Sequence, residues 1–136
     1  MLGKKVLLID ADMRKPTQRR LWRVEKPTGL CDFLAKISKL ELDKVKDLPL
    51  WIVCTGTIPP NPSELLSSER MKHFVEESAK VYDYIIIDTP PINTVADAQI
   101  VSTYVDGVVL VVKSGDTTED ELNEAIDAVR RAGGNL

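Results

Sequence analysis

Residues 84–91, with the sequence YIIIDTPP, constrain the fold of this chain more than any other stretch. An apolar, mostly β-branched run without polar alternation predicts a strand that is covered on both faces in a parallel sheet. The run ends at Asp88, and two prolines follow shortly after it. Because open α/β sheets bind ligands at the carboxyl ends of their strands, Asp88 is predicted to meet a metal ion or a phosphate group.

A second stretch, VLLIDAD at residues 6–12, repeats this design and places Asp10 and Asp12 after an apolar run. Each carboxylate could instead only begin a turn or cap a helix, as aspartate often does after a strand. Carboxylates at two matching strand ends favour a site, since Mg²⁺ is commonly held by one or two carboxylates together with substrate phosphates. A further acid can orient or deprotonate an attacking hydroxyl group. Arg14 and Lys15 follow closely and can pair with the acids or with phosphate oxygens.

Apolar runs alternate with helical patterns along the chain, which predicts an α/β fold. The predicted strands cover residues 4–9, 50–53, 84–88 and 107–112, and the last is the most continuous apolar run. Predicted helices begin near Gln18, after Thr28, after Ser67 or Ser68, near Asp97 and at Thr118. We therefore predict one domain, residues 1–136, with a three-layer parallel sheet and helices on both of its faces.

Local signals predict how several of these helices pack. In the first helix, Leu21 and Trp22 are predicted to turn inward. The helix after Thr28 has an apolar stripe with the spacing of a buried helix face, formed by Leu30, Phe33, Leu34 and Ile37. The last helix begins with a Thr118–Glu121 capping box. Its own apolar stripe consists of Leu122, Ala125, Ile126 and Val129.

Composition excludes several classes of protein. The 136 residues carry a net charge of −3, which predicts no nucleic-acid partner, and no apolar run approaches the length of a membrane span. The N-terminus reads directly into a strand, so we expect a cytoplasmic chain. Cys31 and Cys54 lack metal-ligand spacing and are predicted to be reduced thiols without a special role. His73, the one histidine, is predicted to be a surface residue.

Three motifs together carry a resemblance to a known family: VLLIDADMRKPT, TGTIPPNPSELLSSERM and YDYIIIDTPP. With their spacing they resemble the cytoplasmic kinase domain of bacterial tyrosine kinases that act in capsular and extracellular polysaccharide synthesis. The resemblance covers nearly the whole chain. It implies a fold like that of P-loop nucleotide hydrolases, ATP and Mg²⁺ as cofactors, and a membrane-embedded polysaccharide co-polymerase or activator as partner.

The same resemblance implies roles for individual residues. Asp10, Asp12 and Arg14 match the Ile-Asp-x-Asp-x-Arg motif of these kinases, and Asp88 stands in the Walker B position. Asp10 would be the base for the tyrosine hydroxyl, with Asp12 as the second catalytic acid. Asp12 and Asp88 would hold Mg²⁺, largely through its waters, while Asp10 and Arg14 would lie on the phosphate side of ATP.

The sequence departs from the family in two respects. It contains no G-x-x-x-x-G-K-[ST] motif, whose amides and lysine bind phosphates, and Gly3-Lys4-Lys5 does not replace it. The tyrosine-rich tail that these kinases phosphorylate is also absent, and we expect the three tyrosines, Tyr82, Tyr84 and Tyr104, to be packed. We therefore expect a fold that is incomplete at both ends, exposed strand edges, self-association and weak nucleotide binding.

Other functions remain open from the sequence. A non-catalytic interaction module of the same fold would retain the sheet without the phosphate loop. A partition or septum-positioning ATPase shares the fold but has a membrane-targeting or DNA-facing segment, which this sequence does not show. A response-regulator receiver also has strand-end acids, but its acids are much closer together in sequence than Asp10 and Asp88.

Overall fold

The computed structural model describes residues 3–136, so residues 1 and 2 of the predicted domain 1–136 lie outside the described part. The chain forms two compact units that divide between Thr89 and Pro90. Within the described residues, the first unit is built on a sheet of four strands: β1 (Val6–Asp10), β2 (Asp43–Lys44), β3 (Leu50–Val53) and β4 (Tyr84–Asp88). The strand order is β2-β3-β1-β4.

The centre of this sheet is parallel. Strand β1 pairs in parallel with β3 on one side and with β4 on the other, whereas β2 is antiparallel to β3. The predicted α/β fold and the three predicted strands of this unit are confirmed. Strand β2 makes the sheet mixed rather than wholly parallel, and a strand of only two residues is too short to leave a periodic pattern in the sequence.

Burial differs sharply between the middle and the edge of the sheet. Leu7 and Ile9 of β1 and Ile52 of β3 are fully buried. In β4, by contrast, Tyr84 is 60% exposed and Ile86 is 55% exposed. The prediction that β4 is covered on both faces, with its tyrosine packed, is therefore wrong. Among the described strands β4 pairs only with β1, so it is an edge strand, and one of its faces remains in solvent.

The helices of the first unit are α1 (Gln18–Leu21), α2 (Leu30–Leu34), α3 (Pro62–Ser67) and α4 (Glu69–Ala79). Pro62 lies in the first turn of α3, where its missing N–H group has no cost. The hydroxyl of Ser68 caps α4 by accepting a hydrogen bond from the backbone N–H of Met71. The start of α4 agrees with the prediction of a helix after Ser67 or Ser68, and His73 is exposed on α4 as predicted.

Two predictions about buried side chains in this unit are wrong. Leu21 is 63% exposed and Trp22 is 39% exposed, because α1 is a single turn and the Trp22 indole bonds to Gln18. Ile37 is 74% exposed. Helix α2 has already ended before it, and Lys36 takes a left-handed backbone conformation with φ of 62°, which turns the chain away from the helical path.

Helix α2 is joined closely to the end of β3. The backbone N–H groups of Leu30 and Cys31 donate to the carbonyl oxygens of Cys54 and Thr55, at 2.8 and 2.9 Å. Gly29 has no room for a side chain, because a Cβ atom there would lie 2.1 Å from the Cys54 carbonyl oxygen. Both cysteines are free and buried at this junction, and the prediction of reduced thiols agrees with their state.

The second unit contains α5 (Asp97–Ser102) and α6 (Glu119–Arg131). The Thr118 hydroxyl accepts from the Glu121 N–H and the Glu121 carboxylate accepts from the Thr118 N–H, so the predicted capping box is confirmed. Ala125 and Val129 of α6 are buried, as its apolar stripe predicts. Over residues 3–136, the structure contains no helix with the length and apolar character needed to cross a membrane.

Residues 107–112 do not form the buried strand that their sequence predicts. The segment has no assigned strand, and Val109 and Val111 are 87% and 93% exposed. A backbone hydrogen bond of 2.6 Å joins Val108 N–H to the Asn135 carbonyl oxygen. A strand requires a neighbour for its ladder, and no residue from 90 to 136 is assigned to a strand. Apolar composition alone therefore gave the wrong prediction.

Candidate functional site

Two predicted site residues meet at one edge of the sheet. Asp10 ends β1, Asp88 ends β4, and the two are directly paired in the parallel register. The backbone N–H of Ala11 continues this pairing by donating to the Asp88 carbonyl oxygen at 2.8 Å. The prediction that the two strand ends lie together is confirmed by this register, whereas the role of the residues there stays a prediction.

Asp10 is the most enclosed of the acids. Its side chain is fully buried, and its two oxygens accept hydrogen bonds from the backbone N–H groups of Asp12 at 3.3 Å and of Gln18 at 3.1 Å. Burial raises the pKa of Asp10, and the charges of Asp88 and Asp12 add to the rise, while the two N–H groups oppose it. A bound cation would relieve this unfavourable concentration of negative charge.

Asp12 lies in the loop after β1 and is partly exposed. Its Oδ1 atom accepts from the backbone N–H groups of Arg14 at 3.1 Å and Lys15 at 2.9 Å, which is the geometry of an Asx turn. Asp12 therefore does begin a turn, as the simpler interpretation held. The hydrogen bonds of the described residues leave its Oδ2 atom without a donor, so this oxygen is available to a ligand.

Asp88 is held by a residue that the sequence analysis did not place in the site. The Gln18 side-chain amide donates from Nε2 to Asp88 Oδ2 at 2.7 Å. The Gln18 Oε1 atom in turn accepts from the Trp22 indole N–H at 3.0 Å. No local pattern indicates this role, because Gln18 and Asp88 are 70 positions apart in sequence.

The acids fit Mg²⁺ as a water-bound ion rather than one enclosed by protein. In the part of the chain that the structure describes, no three His, Cys, Asp or Glu side chains form a metal-binding group. Mg²⁺ does not require one, since it keeps several waters and binds one or two carboxylates together with substrate phosphates. Asp12 and Asp88 each keep one carboxylate oxygen outside the hydrogen bonds described above, and these are the atoms that would hold its waters.

Arg14 lies on the exposed side of the same loop. Its guanidinium Nη2 atom is 3.4 Å from the Ser63 hydroxyl of α3, and its backbone N–H binds Asp12. Arg14 therefore lies close to an acid, as predicted, and it contacts Asp12 through its backbone. Its predicted contact with a phosphate group stays a prediction.

The end of β3 adjoins the site as a third strand end. The Thr55 hydroxyl donates to the Asp10 carbonyl oxygen at 3.0 Å. Beyond Thr55 lies an open cleft of about 390 Å³, and its lining residues are Pro16, Arg19, Arg20, Val24, Thr55, Gly56 and Ile58. The predicted helix near Gln18 supplies the two arginines of this cleft.

Asp32 fixes the loop that follows Thr55. Its Oδ2 atom accepts from the backbone N–H groups of Gly29 at 2.8 Å and Thr57 at 3.1 Å. Burial favours the neutral form of this acid, but the hydrogen bonds from Thr57 and Gly29 outweigh it and lower the pKa of Asp32. Gly56 has φ of 79° and contacts both Gly29 and Asp32, so no other residue fits this turn.

Known proteins provide an independent comparison. No protein-family model matches the chain. The tyrosine-protein kinase YwqD of Bacillus subtilis is 46% identical over 129 residues, a match that covers 93% of this chain and 54% of that kinase. The chain thus spans about half the length of this relative.

Two solved structures are also similar. The chimerical protein CapA2B2 has a TM-score of 0.94 and 36% identity, with 99% of this chain and 61% of that chain covered. The VpsO kinase domain has a TM-score of 0.93 and 30% identity, with 99% of this chain and 68% of that chain covered.

Proposed function

Because this chain belongs to the bacterial tyrosine kinases of capsular and extracellular polysaccharide synthesis, we propose that its strand-end acids form the magnesium and phosphate side of a protein-tyrosine kinase site. The reaction transfers the γ-phosphoryl group of ATP to a tyrosine hydroxyl, with ADP as the leaving group. The observation that carries the proposal is the direct pairing of Asp10 with Asp88, with Asp12 beside them.

Each acid receives a role in this proposal. Asp12 and Asp88 hold Mg²⁺ through its waters, and the ion when bound neutralises charge on the phosphates. Asp10 acts as the base, because a carboxylate whose pKa is raised accepts a proton more readily than an ordinary one. Asp12, which is partly exposed beside the buried Asp10, is the second catalytic acid. Arg14 contributes a positive charge on the phosphate side.

The proposal extends to partners and location. We place the protein in the cytoplasm, next to a membrane-embedded partner of polysaccharide synthesis, as its family membership supports. Self-association is supported by the edge strand β4, where the exposed Tyr84 and Ile86 offer an apolar face and an unpaired strand edge to another chain.

Calorimetric titration with ADP and Mg²⁺ tests the nucleotide site. We expect binding by the unaltered chain and a loss of about tenfold or more in Asp88→Asn, because one of the acids that hold the ion has lost its charge. Asp47→Asn is the matched control: Asp47 is exposed, lies before β3 at the opposite sheet edge, and has a φ of 62° that asparagine tolerates.

The result can also contradict the proposal. If the unaltered chain is folded by circular dichroism but binds no ADP in the presence of Mg²⁺, its acids do not form a working nucleotide site. The chain would then be assigned to the second class of function, a non-catalytic interaction module of the same fold.

A further inference from the structure

A series of hydrogen bonds connects the partly exposed Trp22 with both strand-end acids. The Trp22 indole N–H donates to Gln18 Oε1 at 3.0 Å, and Gln18 Nε2 donates to Asp88 Oδ2 at 2.7 Å. The backbone N–H of Gln18 donates to Asp10 Oδ2 at 3.1 Å. A single residue outside the recognised motifs therefore contacts the carboxylates of Asp10 and Asp88.

The direction of these bonds follows from chemistry. A glutamine amide can present either its oxygen or its NH₂ group to a neighbour, and the two orientations have nearly the same shape. An indole N–H can only donate, so the Gln18 oxygen must face Trp22. The NH₂ group must then face Asp88, which as a carboxylate can only accept.

A neutral donor suits this position better than a charged one. A lysine or arginine beside Asp88 would form an ion pair and repel a divalent cation. The Gln18 amide instead holds one oxygen of Asp88 and leaves its negative charge in place. Groups that orient metal ligands in this way commonly affect metal affinity as much as tenfold to a hundredfold, although they never touch the metal.

We propose that Gln18 is a positioning residue of this site: Trp22 orients its amide, and the amide holds Asp88 so that the other carboxylate oxygen faces the magnesium ion. This inference rests on the proposed magnesium site. It adds the residue that sets the geometry of Asp88. It also implies that the environment of the Trp22 indole changes when a metal ion binds.

The affinity of the chain for Mn²⁺, used as the probe for this site, tests the proposal. We expect Gln18→Met, which keeps the length of the side chain but has no donor, to bind Mn²⁺ about tenfold more weakly. Gln18→Glu is expected to lose at least as much in spite of its added charge, because it can accept from Trp22 but cannot donate to Asp88. Trp22→Phe should lose less, since it frees the amide to turn without removing it.

The matched control is Leu21→Gln, a substitution of an exposed residue on the same helix whose side chain takes no part in the hydrogen bonds of Gln18. It should leave Mn²⁺ affinity unchanged. Calorimetry or electron paramagnetic resonance measures the affinity of each variant, and circular dichroism establishes that each one is folded.

The indole ¹H–¹⁵N resonance of Trp22 provides a readout that a purely structural role would not change. It is assigned by its absence from the Trp22→Phe spectrum. We expect it to move when Mg²⁺ is added to the unaltered chain, and to lose that response in Gln18→Met and in Asp88→Asn. An effect of Gln18 on folding alone would not couple this resonance to Mg²⁺.

The outcomes separate this inference from the proposed function. If Asp88→Asn loses Mn²⁺ binding while Gln18→Met and Gln18→Glu bind like the unaltered chain, the metal site stands and the positioning role of Gln18 is wrong. If the unaltered chain binds no Mn²⁺ and Mg²⁺ does not move the Trp22 resonance, the metal site itself is wrong and the inference fails with it.

Discussion

Asp10 and Asp32 are two buried carboxylates in the same unit, and their environments have opposite effects. Asp10 is fully buried and Asp32 is 4% exposed. The pKa of Asp10 is raised, whereas that of Asp32 is lowered. Burial acts to raise both pKa values and is the largest cause of the rise at Asp10, but at Asp32 the hydrogen bonds outweigh it.

The hydrogen-bond donors and charges around each acid also contribute to the difference in pKa. Asp10 accepts from two backbone N–H groups but lies near the negative charges of Asp88 and Asp12. Asp32 accepts from Gly29 and from both the backbone and the hydroxyl of Thr57, and these hydrogen bonds, rather than the charge of another acid, are the main influences that oppose its burial. The negative charge of Asp32 is already stabilised by its hydrogen bonds. The site around Asp10, by contrast, has an excess of negative charge that a cation would balance.

The largest effect on stability is expected from Gly29→Ala, a substitution next to Asp32. The new Cβ atom would lie 2.1 Å from the Cys54 carbonyl oxygen and 2.6 Å from the Gly56 nitrogen, and backbone atoms cannot move away cheaply. We expect a loss of about 3 kcal/mol or more in the free energy of unfolding, measured by denaturant titration. Gly107→Ala, whose Cβ would have 3.8 Å to the Asn135 oxygen, is the control. Equal stability of the two variants would show that α2 is not fixed to β3 as described.

Asp32→Ala should have the next largest effect. It leaves the buried N–H group of Gly29 and the partly buried N–H group of Thr57 without their acceptor, which should reduce the free energy of unfolding by about 2 kcal/mol. Because the folded pKa lies below the unfolded value of about 3.9, the contribution of Asp32 is complete above that pH and is lost as the pH falls through the folded pKa.

Denaturant titrations of both proteins across the acid range measure this dependence. The difference in stability between the unaltered chain and Asp32→Ala should narrow on acidification. A difference that stays constant with pH would mean that the charge of Asp32 contributes nothing to its hydrogen bonds.

The smallest effect on stability is expected from Asp88→Asn, a substitution next to Asp10, in the metal-free protein. Asparagine keeps an acceptor for Gln18 but removes a charge that raises the pKa of Asp10, so that pKa should fall. The folded pKa of Asp10 lies above the unfolded value, so its ionisation reduces stability as the pH rises from about 4 through the folded pKa. Removing the repulsion should increase stability near neutral pH by about 0.5 kcal/mol.

Carboxyl-carbon NMR across the acid range measures the pKa of Asp10 in both proteins. Asp47→Asn, which is remote from Asp10, should leave that pKa unchanged. An unchanged pKa in Asp88→Asn would show that the two acids do not interact, and the contrast between Asp10 and Asp32 would then have to be explained by burial and hydrogen bonds alone.

The sequence predicts those parts of this structure that depend on local patterns. Strands β1, β3 and β4, the start of α6 and the meeting of Asp10 with Asp88 follow from periodicity, capping residues and the rule for parallel sheets. Gln18 and Asp32 could not be recognised, because their partners are distant in sequence or are backbone groups of a turn. The failure at residues 107–112 has a related cause, since a strand exists only through its neighbour.

Two buried cysteines at the junction of α2 and β3 allow local unfolding of this junction to be measured. Cys31 and Cys54 lie there, and burial raises their thiol pKa values to about 12 and about 11. Almost no thiolate therefore forms at neutral pH while the junction is closed. The rate at which a thiol reagent labels the two cysteines should therefore report how often α2 separates from β3. Thiol labelling would thus measure local unfolding next to the candidate site.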